Sequence, residues 1–146
     1  MERSEWEIRW SDFLSVGIPE IDDEHRAFVG RVNDLNQAIV ELEDKTTVER
    51  LMAMMLIEAT SHFRNEVRLL KARQYPQAAD HARKHEELID QFTRLSGQFR
   101  EGELRFVWAM KGLRVKQLLV DHLLQEDMKF KEYFAKQTKE LNHQLR

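Results

Sequence analysis

Apolar residues recur at three- and four-residue steps through four stretches of the chain, the repeat of amphipathic helices that each bury one stripe. The first predicted helix spans 19–42, with Pro19 in its opening turn and Ile21, His25, Phe28, Val32, Leu35 and Ile39 on one face. Thr46 to Glu49 reads as a T-x-x-E capping box. The second predicted helix, 47–73, places Leu51, Met55, Ala59, His62, Phe63, Glu66 and Leu70 in phase. Tyr75-Pro76 ends it, because the residue before a proline disfavours helix. The third, 76–101, carries Ala78, His81, His85, Leu88, Phe92, Leu95 and Phe99, and stops near Gly102. The fourth, 104–136, carries Leu104, Trp108, Val115, Leu118, Leu119, His122, Leu123, Phe130 and Phe134, with Gly112 inside it at modest cost. The polar tail beyond Gln137 is expected to fray. Four long helices with short connections predict an all-α, up-down-up-down antiparallel four-helix bundle. In residues 1–17, Trp6, Trp10, Phe13 and Val16 are spaced acceptably for a helix, but one so short is marginal alone. This segment is expected to be an arm packed across the bundle.

The stripes contain residues that do not belong in an apolar core. Five of the six histidines lie on them, and Glu66, four residues after His62, shares its face. A single histidine on such a stripe is ordinarily a hydrogen-bonded core residue. Five in phase, with carboxylates beside them, each need a partner that an apolar interior does not supply, and a bound metal satisfies them together. The remaining histidine, His143, falls in the polar tail. Met52, Met54 and Met55 are read as packing, since methionine fills irregular gaps.

Composition narrows the chemistry. The 146 residues suit one domain, 1–146, with a core large enough to need no staples. No cysteine is present, so disulfides, thiolate zinc sites and thiol nucleophiles are excluded and any metal must take nitrogen and oxygen donors. The N-terminal residues are charged throughout, with no secretory leader pattern, and the longest apolar run is too short to span a bilayer. A net charge of −3 with scattered Lys and Arg argues against nucleic acid. The reading is therefore a cytoplasmic protein with no membrane and no nucleic-acid partner, and a monomer.

Residues four apart stack on one helical face, so His62 with Glu66, and His81 with His85, can each grip a common centre. His25 and His122 bring donors from the other two walls. A second carboxylate follows His122, and simple helical geometry favours Glu126, four residues on, over Asp127, which five residues place well around the axis. The spacing alone leaves that choice open. Five imidazoles and two carboxylates are too many for one tetrahedral zinc. Two six-coordinate metals sharing both carboxylates and a bridging oxygen fill all but one of about twelve positions. One open position suits a small diatomic ligand.

The ordered set of a Trp10-bearing arm, Val16-Gly17-Ile18, Ile21-Asp22 leading to His25, His62-Phe63-x-x-Glu66, Tyr75-Pro76, His81-x-x-x-His85 and His122-x-x-x-x-Asp127 resembles the hemerythrin family, in particular its bacterial single-domain members. The resemblance covers residues of roughly 10 to 135. It implies a non-haem di-iron centre with an oxo or hydroxo bridge, in which His81, His85 and His122 hold one iron, His25 and His62 the other, and Glu66 and Asp127 bridge them. It implies reversible dioxygen binding for storage, delivery or scavenging, with Phe28, Phe63 and Leu119 walling the ligand pocket and no catalytic residue. The alternatives are an oxygen or redox sensor acting on a separate protein partner, and a di-iron enzyme acting on peroxide, nitric oxide or iron. Val67 and Leu70 depart from the family's habits at positions that are not ligands.

Overall fold

In the computed structural model, which describes residues 6–101 and 105–144, four helical rods pack side by side. They are α1 (Pro19–Val40), α2 (Lys45–Ala72), α3 (Ala78–Glu101) and a fourth rod made of α4 (Arg105–Asp121), one π-helical turn (His122–Glu126) and α5 (Asp127–Gln144). α1 packs on α2 and α4, and α3 packs on the same two, so the rods form a square traced up, down, up and down. No strand occurs among the described residues. Residue 104, the start expected for the fourth helix, lies outside them.

Several ends differ from the periodicity reading, each for a local reason. α2 begins at Lys45, because the Asp44 carboxylate accepts the Thr47 amide at 2.8 Å and caps the helix ahead of the T-x-x-E sequence. A carboxylate there also meets the positive end of the helix dipole. α1 stops at Val40: Leu42 takes a left-handed conformation, and the Glu43 amide reaches back to the Ala38 carbonyl at 2.9 Å. The same closure recurs at Gln74, with the Tyr75 amide on the Leu70 carbonyl, so α3 starts at Ala78 rather than at Pro76. The tail expected to fray is helical to Gln144. Its side chains beyond Phe134 are solvent-facing, and a Lys-, Glu- and Gln-rich composition supports helix without a buried stripe.

The arm contains one short 3-10 turn, Asp12–Leu14, and otherwise no regular structure between Glu7 and Ile18. It is anchored by polar contacts. The Asn33 side-chain amide pairs with both backbone groups of Ile8, at 2.7 and 2.8 Å, and Asp22 accepts the Ser15 hydroxyl and the Val16 amide at 2.6 and 2.8 Å. Ile8, Leu14, Val16 and Ile18 are thereby buried, while Phe13 faces solvent at 76% exposure. The Arg26 guanidinium sits 5.0 Å over the Trp10 ring.

The interior falls into two apolar clusters. The larger includes Phe28, Val32, Leu35, Met52, Met55, Phe63, Phe92, Phe99, Trp108 and Leu119, and the smaller comprises Val16, Ile18, Ile21, Leu70, Tyr75, Ala78 and Phe130. Along every rod the histidine and carboxylate positions fall between residues of one cluster and residues of the other. The polar layer is thus enclosed on both sides.

Gly112 permits a close approach of α1 to α4. A β-carbon there would lie 2.2 Å from Asn36 Oδ1 and 3.0 Å from Ile39 Cδ1, while Asn36 Nδ2 donates to the Gly112 carbonyl at 3.1 Å. Gly112→Ala is therefore expected to lower stability by about 1–3 kcal/mol through overpacking, although alanine favours helix. Urea denaturation measures this, and a gain in stability would show that the rods can separate without penalty.

Candidate metal centre

Each rod contributes to one buried cluster. His25 comes from α1, His62 and Glu66 from α2, His81 and His85 from α3, His122 from the π turn and Asp127 from the first residue of α5. All seven side chains are buried, with Glu66 and Asp127 at 0% exposure. Among the described residues two groups able to hold a metal ion emerge: Glu66, His81, His85, His122 and Asp127 form one, and His25, His62 and Glu66 the other.

The carboxylate oxygens divide the histidines. Glu66 Oε1 lies 2.6 Å from His81 Nε2 and 3.1 Å from His85 Nε2, whereas Oε2 lies 2.9 Å from the Nε2 atoms of both His25 and His62. Asp127 repeats the division, with Oδ1 3.0 Å from His81 and 3.1 Å from His122, and Oδ2 3.3 Å from His25. One oxygen of each acid therefore faces two of His81, His85 and His122, and the other faces His25, joined at Glu66 by His62.

Asp127 rather than Glu126 enters the cluster because the fourth rod widens at this point. The Asp127 amide bonds the His122 carbonyl, five residues back, and this wider turn returns the fifth residue over the first. Glu126 is turned outward and pairs with Lys129 at 3.1 Å. The geometric preference for i+4 spacing holds only for a regular α-helix.

The contacts do not all satisfy one another. His62 Nε2, both nitrogens of His85, His122 Nε2 and both Asp127 oxygens are buried without an aligned hydrogen bond, although the opposing atoms are close. Their lone pairs converge on common points instead of on each other. Cis ligands about 2.1 Å from an octahedral ion lie about 3 Å apart, which matches the separations here. The residues present thus fit cations, and fit them better than they fit mutual hydrogen bonding.

Electrostatics agree with a site built for positive charge. Burial pushes the Glu66 carboxyl up, but the imidazoles of His25, His62, His81 and His85 crowded around its oxygens hold it well below the usual carboxylate range. Burial and the neighbouring Glu66 charge also oppose ionisation of Asp127, yet His122 and His81 bring it down to about 2. Desolvation works to lower His81, but the Asp127 and Glu66 carboxylates outweigh it and raise the imidazole to about 9. His62 is raised against its burial by Glu66 and Glu24, whereas burial prevails at His85 and lowers it. Without a metal, protons occupy part of this layer.

Phe63 stacks on His85 with ring centres 4.1 Å apart and lies 5.6 Å from the His122 ring, and Phe28 lies 6.4 Å from His62 and 5.9 Å from Phe63. Leu119 is buried one turn before His122 in the same large cluster. Glu24 was not singled out from the sequence. Its Oε2 lies 2.5 Å from His62 Nδ1, and Asn65 holds its other oxygen. An acid in the first turns of a helix reads as a solvated partner of the dipole, and only the packing of α1 on α2 reveals its second use.

The chain matches the hemerythrin HHE cation-binding domain over residues 16–134. It is similar to a bacteriohemerythrin of Stenotrophomonas maltophilia (strain R551-3), with 31% identity over 94 residues, and that match spans 64% of this chain and 61% of the relative. It is also similar to a myohemerythrin of Theromyzon tessulatum, at 24% identity over 123 residues, spanning 84% of this chain and 90% of the relative. The match to the family runs from ahead of α1 to Phe134, within the first half of α5, and includes every residue of the buried cluster. This chain belongs to the hemerythrin HHE cation-binding family.

Proposed function

We propose that the protein binds dioxygen reversibly at a pair of iron ions, as a carrier, store or scavenger and not as an enzyme. The observation that carries this reading is the division of the carboxylate oxygens: Glu66 and Asp127 each turn one oxygen to His81, His85 or His122 and the other to the His25 and His62 side. His81, His85 and His122 would hold one iron, His25 and His62 the second, and the two acids would bridge them. Bound ferrous ions would supply the two electrons that dioxygen takes up on binding and returns on release.

The protein's own residues set the conditions. Three histidines against two leave the His25 and His62 side with fewer protein donors, so a small ligand would enter there. Phe28, Phe63 and Leu119, at 2%, 5% and 1% exposure, would wall that pocket. An apolar wall hinders water and anions from entering and so favours release of an unchanged ligand. Glu24 fixes the His62 ring by accepting from its outer nitrogen, the role that outer carboxylates play for metal-bound imidazoles.

Loading with ferrous iron and exposing the protein to oxygen tests the reading. The expected result is two irons per chain and a visible band that appears with oxygen and disappears under vacuum over repeated cycles. Prompt oxidation without a reversible form would defeat the carrier reading, and one metal per chain would defeat the pair. Glu24→Ala is expected to weaken iron binding about 10–100-fold by freeing the His62 ring. Competition with a chelator measures this, and an unchanged affinity would assign Glu24 to the surface alone.

A further inference from the structure

A groove of about 670 Å³ runs between α2 and α3 outside the buried cluster. Phe63, Val67, Ala82 and Ile89 give it an apolar floor, and the edge of His85 reaches its inner end. Its size is that of a site for a small organic molecule. Ala82 is among its lining residues, with the smallest side chain of the four on the floor.

The two walls carry opposite charge. Arg64, Arg68 and Lys71 project from α2 at steps of four and three residues, and Glu86 and Asp90 line the α3 side. No ion pair crosses the groove, since none of these five residues has an oppositely charged atom within 4.0 Å among the described residues. Arg68 donates a hydrogen bond to Asn65, a neutral partner on its own helix. Three unneutralised cations along one wall above an apolar floor match a negatively charged head joined to an apolar body. The two acids opposite limit that head to one negative charge, because a second would meet them across the mouth.

We propose that this groove binds a small organic monoanion, a carboxylate with an apolar tail or ring. The carboxylate rests on Arg64, Arg68 and Lys71, and guanidinium groups suit its planar geometry. The apolar body lies along Val67 and Ile89 toward Phe63, beneath which His85 is stacked. A ligand seated there presses on the ring pair at the edge of the metal-type cluster. The site depends on the groove's own side chains and does not require that His85 hold a metal.

Calorimetric titration of the iron-loaded protein with octanoate, and with its neutral counterpart octanamide, tests this directly. Octanoate is expected to bind saturably and about tenfold more tightly than octanamide, given the modest contribution of each partly exposed charge. The Arg64→Gln, Arg68→Gln, Lys71→Gln triple variant is expected to lose that tenfold preference while octanamide binding stays unchanged. These three side chains are solvent-facing, so the variant retains the fold, which circular dichroism verifies. Ala82→Leu, filling the floor, should weaken both compounds. Absence of saturable octanoate binding, equal affinity for the two compounds, or an octanoate affinity untouched by the triple variant would each overturn the proposal. The last outcome would mean that the anion sits elsewhere, for example directly on iron.

Discussion

Glu66→Ala is expected to abolish binding of the proposed pair of irons, with loaded iron falling to a small fraction of one per chain. Its two oxygens lie within 3.1 Å of four histidines drawn from both sets, so one truncation strips a donor from each side of the centre. What remains is Asp127, within 3.3 Å of His25, His81 and His122, and Glu24 on the outer nitrogen of His62. Glu66→Gln keeps the shape but offers only one good acceptor and no charge, and it should retain metal poorly on one side. The metal-free Glu66→Ala protein should also lose stability, on the order of 3–5 kcal/mol, because a fully buried charged partner is removed from histidines that rely on it. Iron analysis after gel filtration and urea denaturation of the metal-free form measure the two effects. Two irons retained by Glu66→Ala would remove Glu66 from the centre.

The metal-free and metal-loaded forms should respond to pH in opposite directions. His81 is held at about 9 in the folded chain, against an ordinary 6.5, so the folded state binds its proton more tightly than the unfolded state does. That contribution is complete below pH 6.5 and is lost as pH rises through about 9. It amounts to roughly 3 kcal/mol at about 1.4 kcal/mol per unit, and His62, also raised, acts in the same direction. His85 is lowered and acts oppositely, below pH 6.5. Asp127, brought from 3.8 to about 2, contributes above pH 3.8 and fails as pH falls toward 2. Stability of the metal-free protein should therefore decline between pH 6.5 and 9. With metal bound the histidines serve as neutral donors, and protons compete with the ion, so stability should rise as pH rises through the histidine range. Urea midpoints at pH 6.5, 7.5 and 9 for both forms decide it. A metal-free midpoint that holds steady or climbs over this range would contradict the protonated His81 pairing.

The apolar repeat made the bundle and the faces of its rods legible in the sequence. His25, His62 with Glu66, and His81 with His85 each stand on a regular α-helix, where position along the chain fixes angle around the axis. Those residues could therefore be assigned to the inward stripes without knowing the fold. The ends of the rods were less legible, since Asp44 took the cap from the Thr46 sequence and Leu42 and Gln74 closed helices in conformations that glycine more commonly adopts. Glu24 was hidden because its partner, His62, belongs to another rod.

By itself the sequence determined four amphipathic rods, a donor set of imidazoles and carboxylates without sulfur, and the phase of each donor on its own rod. The tertiary structure decided three further things. It widened the fourth rod by one π turn, which brought Asp127 inward and left Glu126 on Lys129. It enclosed the donors between two apolar clusters. It also assigned the oxygens of Glu66 and Asp127 to a set of three histidines and a set of two. The reason is physical: periodicity fixes direction within one helix, whereas convergence of atoms from four helices depends on where those helices lie and on local departures from regular winding.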